Sequence, residues 1–177
     1  MTAIQKLTIA YVTTLALMPG MARAADKALN DNQIAEIMHT ANMAEVDAAK
    51  LAKDKAQTQQ VKDFAEHMIV EHKQNDKDGK DLEKRIDIKD KSNDTAKDLK
   101  KDAKTEMDDL KKLKGTDFDK AYMKMQISMH QTLLNDLDQK FIPAAQNAHF
   151  KEYLQTTRKH VAEHLAKAQE VQIDISK

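Results

Sequence analysis

The chain has 177 residues, with 29 Lys and Arg against 29 Asp and Glu, no Cys, no Trp, 3 Gly, 2 Pro and a mean hydropathy of −0.72. That length supports one domain rather than two independent cores, and the balanced charge removes the electrostatic case for binding nucleic acid or an anionic membrane. Without Cys there are no disulfides, thiolate metal sites, iron–sulfur clusters or cysteine nucleophiles, and scarce Gly and Pro point to an all-α fold.

The first segment reads as an address. Lys6 precedes an apolar stretch from Leu7 to Met18, and Ala22-Arg23-Ala24 has the A-x-A shape of a signal-peptidase site. The stretch is short for a membrane span and is interrupted by Thr and Tyr. The expectation is a cleaved signal peptide over residues 1–24 and a mature domain over 25–177, periplasmic or secreted, with no integral membrane segment. A retained N-terminal anchor is the alternative. Losing Lys6 and Arg23 leaves 27 basic and 29 acidic residues, a formal charge of −2.

Four amphipathic helices follow. The first runs from Asn32, a candidate N-cap, with Ile34, Ile37, Ala41, Ala44, Ala48 and Leu51 at alternating three- and four-residue steps. The second starts near Thr58 and places Val61, Phe64, Ala65, Met68, His72, Leu82 and Ile86 on one face. Next comes a segment of different character. Of the 42 residues from Lys73 to Lys114, 26 are charged, 14 basic and 12 acidic, which suits solvated helices with i,i+4 pairs and a break over Asp87 to Asp94. Residues 89–115 are assigned to a charged crossover, with an interaction arm as the competing reading. The third helix opens after Gly115 with Thr116-Asp117-Phe118-Asp119, a variant capping box, and ends at Pro143. Its two stripes are Met123, Ile127, Leu134, Leu137 and Phe141, and Phe118, Tyr122, Met125, Met129 and Leu133. From about Asn147 the fourth carries Phe150, Leu154, Thr157, Val161, His164, Ala168 and Val171 in a heptad-like seam. No segment reads as a strand. Two hairpins joined by one long connection make a ferritin-like four-helix bundle the expected architecture, with a simple up-down bundle also allowed.

Each main helix sets one ionisable residue on or beside its apolar face: Glu45, His72, His130 and His164. A charge in such a seam is costly unless it is paired or bound to metal. At about 1.5 Å per residue, all four fall near mid-bundle. Three imidazoles and a carboxylate form a ligand set for a divalent transition metal: zinc, iron, manganese or copper. The competing reading is a set of core histidines hydrogen-bonded to neighbours. His39, His67, His149 and His160 read as surface residues. A di-iron carboxylate centre requires Glu-x-x-His pairs, but Ile69 and Val161 stand three residues before His72 and His164. Met123, Met125 and Met129 beside His130 raise copper(I), although helical geometry points Met123 and Met125 about 200° apart and favours core packing. There is no phosphate-binding Gly loop, no Gly-x-Ser-x-Gly elbow and no His-Glu-x-x-His, so the pattern points away from an enzyme.

The same residues carry a resemblance. Asn42-Met43-Ala44-Glu45 with Ala48 and Leu51-Ala52, then Val61-x-x-Phe64-Ala65-x-x-Met68-x-x-Glu71-His72, then Gly115-x-x-Phe118-Asp119-x-x-Tyr122 leading to His130, and finally His164-Leu165, resemble a bacterial secreted ferritin-like family of unknown function, often labelled putative outer membrane protein. The likeness runs from about Gln33 to Ala168. It implies a ferritin-like bundle in the cell envelope and draws attention to Glu45, His72, His130 and His164, without implying an activity. Glu71-His72 stands where Asp-His is usual. Neither barrel strands nor a lipidation Cys support the outer-membrane label.

Two leading functions remain open at this level. One is a stress-related or metal-binding bundle of the envelope. The other is a non-enzymatic, chaperone-like interaction protein without metal, whose partner is another envelope protein or a second copy of the chain. A pH sensor built on buried histidines is a third.

Overall fold

In the computed structural model, residues 29–177 are described, and the predicted leader lies outside them. The described residues form helices joined by short loops, without a strand, and no helix among them is long and apolar enough to cross a membrane.

Helix α1 (Asp31–Lys55) begins earlier than its expected cap. Asn30 and Gln33 form a reciprocal capping box: the Asn30 side chain accepts from Gln33 N at 3.0 Å, and the Gln33 side chain accepts from Asn30 N at 3.2 Å. Asn32 has a long-range task instead, accepting from Lys89 N at 3.1 Å. Helix α2 (Gln59–Ile86) is capped by Thr58, as its sequence indicates, and stops where Asp87 turns into the left-handed region at φ 55°. The charged connection contains its own helix, α3 (Asp94–Lys112), capped by Asn93.

Helix α4 (Gly115–Asp136) corrects the expected start. Its first turn has no side-chain cap, because the helix starts ahead of Thr116 and the N-cap position falls to Lys114, which has no acceptor; Asp119, the reciprocal partner of the predicted box, is engaged elsewhere. Its carboxylate accepts from Gln57 N at 2.9 Å and Thr58 N at 2.8 Å, satisfying donors at the head of α2. The helix continues through a π turn (Leu137–Phe141) and a last turn (Ile142–Ala144) that includes Pro143. Pro143 supplies no N–H and its ring crowds the carbonyl one turn back, so the ladder widens just before it. Leu137 and Phe141 stay fully buried there. Helix α5 (Ala148–Asp174) is capped by Asn147, and the Asp31 carboxylate holds Gln146 N and Asn147 N, each at 2.9 Å.

Helix α1 packs along α2, α4 along α5, and α2 closes on α5. Helix α3 lies mainly against α1, where it buries only Ala96 and Leu110. Its remaining charged residues stay solvated, with Lys97–Asp94, Lys104–Asp108, Lys111–Asp108 and Lys112–Asp109 ion pairs along its surface.

The interior is divided. One apolar cluster gathers Ala48, Ala52, Phe64, Met68, Phe118, Tyr122 and Ala168; the other gathers Ile34, Ile37, Leu137, Phe141, Phe150 and Leu154. Along each of α1, α2, α4 and α5 the chain passes from one cluster to the other through buried polar residues: Asn42 and Glu45, His72, Gln126 and His130, and Thr157 and His164. A polar layer thus crosses the middle of an otherwise dry core.

Candidate metal centre

The layer draws one histidine from each of three helices. His72 on α2, His130 on α4 and His164 on α5 are 4%, 1% and 5% exposed. Their rings form a nearly equilateral triangle, with centroids 5.7 Å apart for His72 and His130, 5.2 Å for His72 and His164, and 5.4 Å for His130 and His164. One ring nitrogen from each lies within 4.8 Å of the other two.

Hydrogen bonding fixes the tautomers of two rings. Asn42 Oδ1 lies 3.0 Å from His72 Nδ1, and the Gln126 backbone carbonyl lies 2.9 Å from His130 Nδ1. Both oxygens can only accept, so each Nδ1 carries the proton and donates it, leaving the lone pair on Nε2. His72 Nε2, His130 Nε2 and His164 Nδ1 are buried and have no hydrogen-bond partner among the described residues. A buried polar atom left in that state costs about 1–3 kcal/mol, and in this layer Asn42 Nδ2 and Gln126 Oε1 share it with the three imidazole nitrogens, which alone are of the kind a metal ion would satisfy. Protons do not supply the missing partner. Burial first, then the neighbouring imidazoles, push His72 well below its ordinary value and His164 down to about 3. Both rings are neutral at physiological pH, the form that binds metal. A switch working between pH 5 and 8 is therefore not what His72 and His164 provide.

The donor chemistry fits a transition ion. Bonds of about 2.0–2.1 Å in a tetrahedral set place ligand nitrogens roughly 3.3 Å apart, so closing the triangle takes no more than about 1.5 Å of side-chain movement. The outward hydrogen bonds of His72 and His130 are of the kind that orient histidine ligands and raise their basicity. Behind His72 the support continues: Asn75 Nδ2 donates to Asn42 Oδ1 at 3.2 Å, and Thr157 Oγ1 donates to Asn75 Oδ1 at 2.8 Å.

Glu45, the fourth candidate, shares the buried layer. It is 3% exposed, yet it stands outside the group of converging ligand atoms. One carboxylate oxygen lies 3.7 Å from His130 Nδ1, the proton-bearing side of that ring, and the other accepts from Gln126 Nε2 at 2.8 Å. The charge of Glu45 is thus delivered to the back of His130. It is also felt by Tyr122, whose phenol burial pushes well above its ordinary value with Glu45 adding to the effect.

The surface histidines divide as well. His149 is exposed, as are His67 and His160 beside His164, whereas His39 is half-buried with its Nδ1 2.6 Å from Asp76 Oδ1. Met123 and Met125 belong to the apolar cluster around Phe64 and Tyr122, in keeping with their reading as core. Sequence reasoning did not single out Asn42, Asn75 and Gln126 as supports. Their signal is register: Asn42 precedes Glu45 by three residues, Asn75 follows His72 by three, and Gln126 precedes His130 by four, so each shares a helix face with one of the four ionisable candidates.

These features define an all-helical protein with a buried histidine triad inside a polar layer. Its family follows from the chain as a whole: the model of the family described as Domain of unknown function (DUF4142) matches residues 16–171, so the chain belongs to that family. No curated protein and no solved structure matches it.

Proposed function

We propose that this protein is an exported, ferritin-like helical bundle of the bacterial envelope that holds one divalent transition metal on His72, His130 and His164. A single feature carries the reading: three buried imidazoles, each with a ring nitrogen that has no hydrogen-bond partner among the described residues, bring one nitrogen apiece within 4.8 Å of the other two. With Glu45 outside the converging set, the donors are nitrogen only, which suits zinc or copper(II), and also iron, better than the oxygen-preferring manganese. Glu45 acts from behind His130, holding its ring and partly balancing the charge of the ion. The cavity beside His72 and His164 measures about 10 Å³, room for one water molecule and not for an organic substrate. This supports holding or carrying an ion over turnover.

The test is metal analysis of untagged protein after zinc loading and desalting, with a His72→Ala/His164→Ala variant beside it. The proposal expects one ion per wild-type chain and none in the variant. Equal content in both would overturn it.

A second reading keeps an interaction role for the crossover. It rests on the thin attachment of α3, which buries two residues and flanks a groove of about 460 Å³ lined by Glu45, Asp98, Asp102 and Glu106. Deleting 90–114 would then abolish capture of an envelope partner while the remaining helices stay folded.

A further inference from the structure

The triad is closed to bulk water, so an ion must reach it by a defined route. Across the seam between α2 and α5 stand two i,i+4 pairs, His67 with Glu71 on one side and His160 with His164 on the other. The His67 ring lies 5.6 Å from that of His164, edge to face. Glu71 and His160 line the small cavity that also touches His72 and His164. Among the described rings, His164 alone touches both inner imidazoles and the exposed His67. Its two ring nitrogens are inequivalent: Nδ1 is the buried one, without a partner among the described residues.

We propose that His67 and His160, with Glu71 beside them, form a loading station at the α2–α5 seam, and that His164 is the ligand shared between this station and the buried triad. The inference rests on the metal-binding reading and adds the path by which the site fills. A hydrated divalent ion sheds its water reluctantly, and a closed apolar layer gives it nothing in exchange. Exposed imidazoles supply replacement ligands before the last waters leave, and Glu71 adds attraction for the cation. The ion then passes to His164 and onward to His72 and His130, so its coordination is never empty. Because the station offers imidazole, the ions it admits are those that accept nitrogen, such as zinc and copper(II), and not calcium or magnesium.

Rapid mixing of the apo protein with zinc, followed by competition with a chromophoric chelator, tests the route. His67→Ala/His160→Ala should reach the wild-type content of one ion per chain with an affinity within about twofold, but load about tenfold more slowly. Detailed balance then requires release to a strong chelator to slow by the same factor. Wild-type loading and release rates in the variant would overturn the station while leaving the triad intact, provided His72→Ala still abolishes binding. A loss of affinity with an unchanged loading rate would also overturn it, making the two histidines equilibrium ligands. A wild-type chain that takes up no zinc would remove the station together with the metal centre.

Discussion

Asn42 illustrates how much of the site is carried by neutral residues. Its amide oxygen holds the His72 tautomer, and no charge marks it out. Asn42→Ala should therefore lower zinc affinity about 10–100-fold with helicity unchanged, measured by chelator competition and circular dichroism. Glu83 shows the reverse case, a buried charge with a cost. Burial, helped by Asp90 and Asp76, raises its carboxyl to about 7, so its favourable contribution is complete below the unfolded value of 4.5 and is lost as pH rises through 7. Glu83→Gln should accordingly match wild type near pH 5 and exceed it at about pH 8 by roughly 1–2 kcal/mol, a figure reduced for partial solvent screening and readable from urea midpoints. The identity of such residues is written in the sequence, but their burial is not. Asn and Gln on a helix are compatible with either face, and only the neighbours decide.

Helices are tied to one another through their ends. Asp119 of α4 closes the head of α2, and Asp31 of α1 does the same at the loop before α5. Asp119 is 1% exposed and satisfies two backbone donors with charge-assisted bonds. Asp119→Ala should cost about 2–3 kcal/mol in urea unfolding, above the effect of an ordinary cap, since two part-buried backbone N–H groups lose charge-assisted bonds at once. The apolar faces of α1, α2, α4 and α5 were legible because 3.6-residue periodicity is local. The start of α4 was not: Thr116-Asp117-Phe118-Asp119 reads as its own cap, and only the approach of α2 diverts Asp119. The π turn has a visible cause in Pro143, although its form depends on Leu137 and Phe141 both finding space in the core.

For the molecule as a whole, the polar layer predicts an acid-labile apo state protected by metal. His164 falls to about 3 when folded against 6.5 unfolded, so the unfolded chain binds a proton that the native one refuses. Its contribution is fully present above 6.5 and is lost as pH falls toward 3, by about 2 kcal/mol for His164 alone between pH 6.5 and about 4.5. Glu83 has the opposite sign in that window, so the measurement belongs in the Glu83→Gln background. There the apo protein should lose urea resistance on acidification, and His164→Gln should flatten the slope. Zinc at pH 7 should stabilise wild type in a concentration-dependent way, by about 2.7 kcal/mol at one hundred times the dissociation constant, read as a rising melting temperature, and leave His72→Ala/His164→Ala unmoved.

An all-helical chain, four long apolar faces, a charged segment between the second and third, and one ionisable residue set into each face follow from the order of amino acids alone. They are governed by local periodicity and by the cost of burying charge. Tertiary structure decided what those residues do together. It turned three imidazoles toward one point and set Glu45 behind His130. It also enlisted Asn42 and Gln126 and laid His67 and His160 at the rim. Helical spacing specifies the direction of a side chain only to within a face, whereas coordination depends on ångström-scale distances between atoms on different helices, and those exist only once the helices have packed.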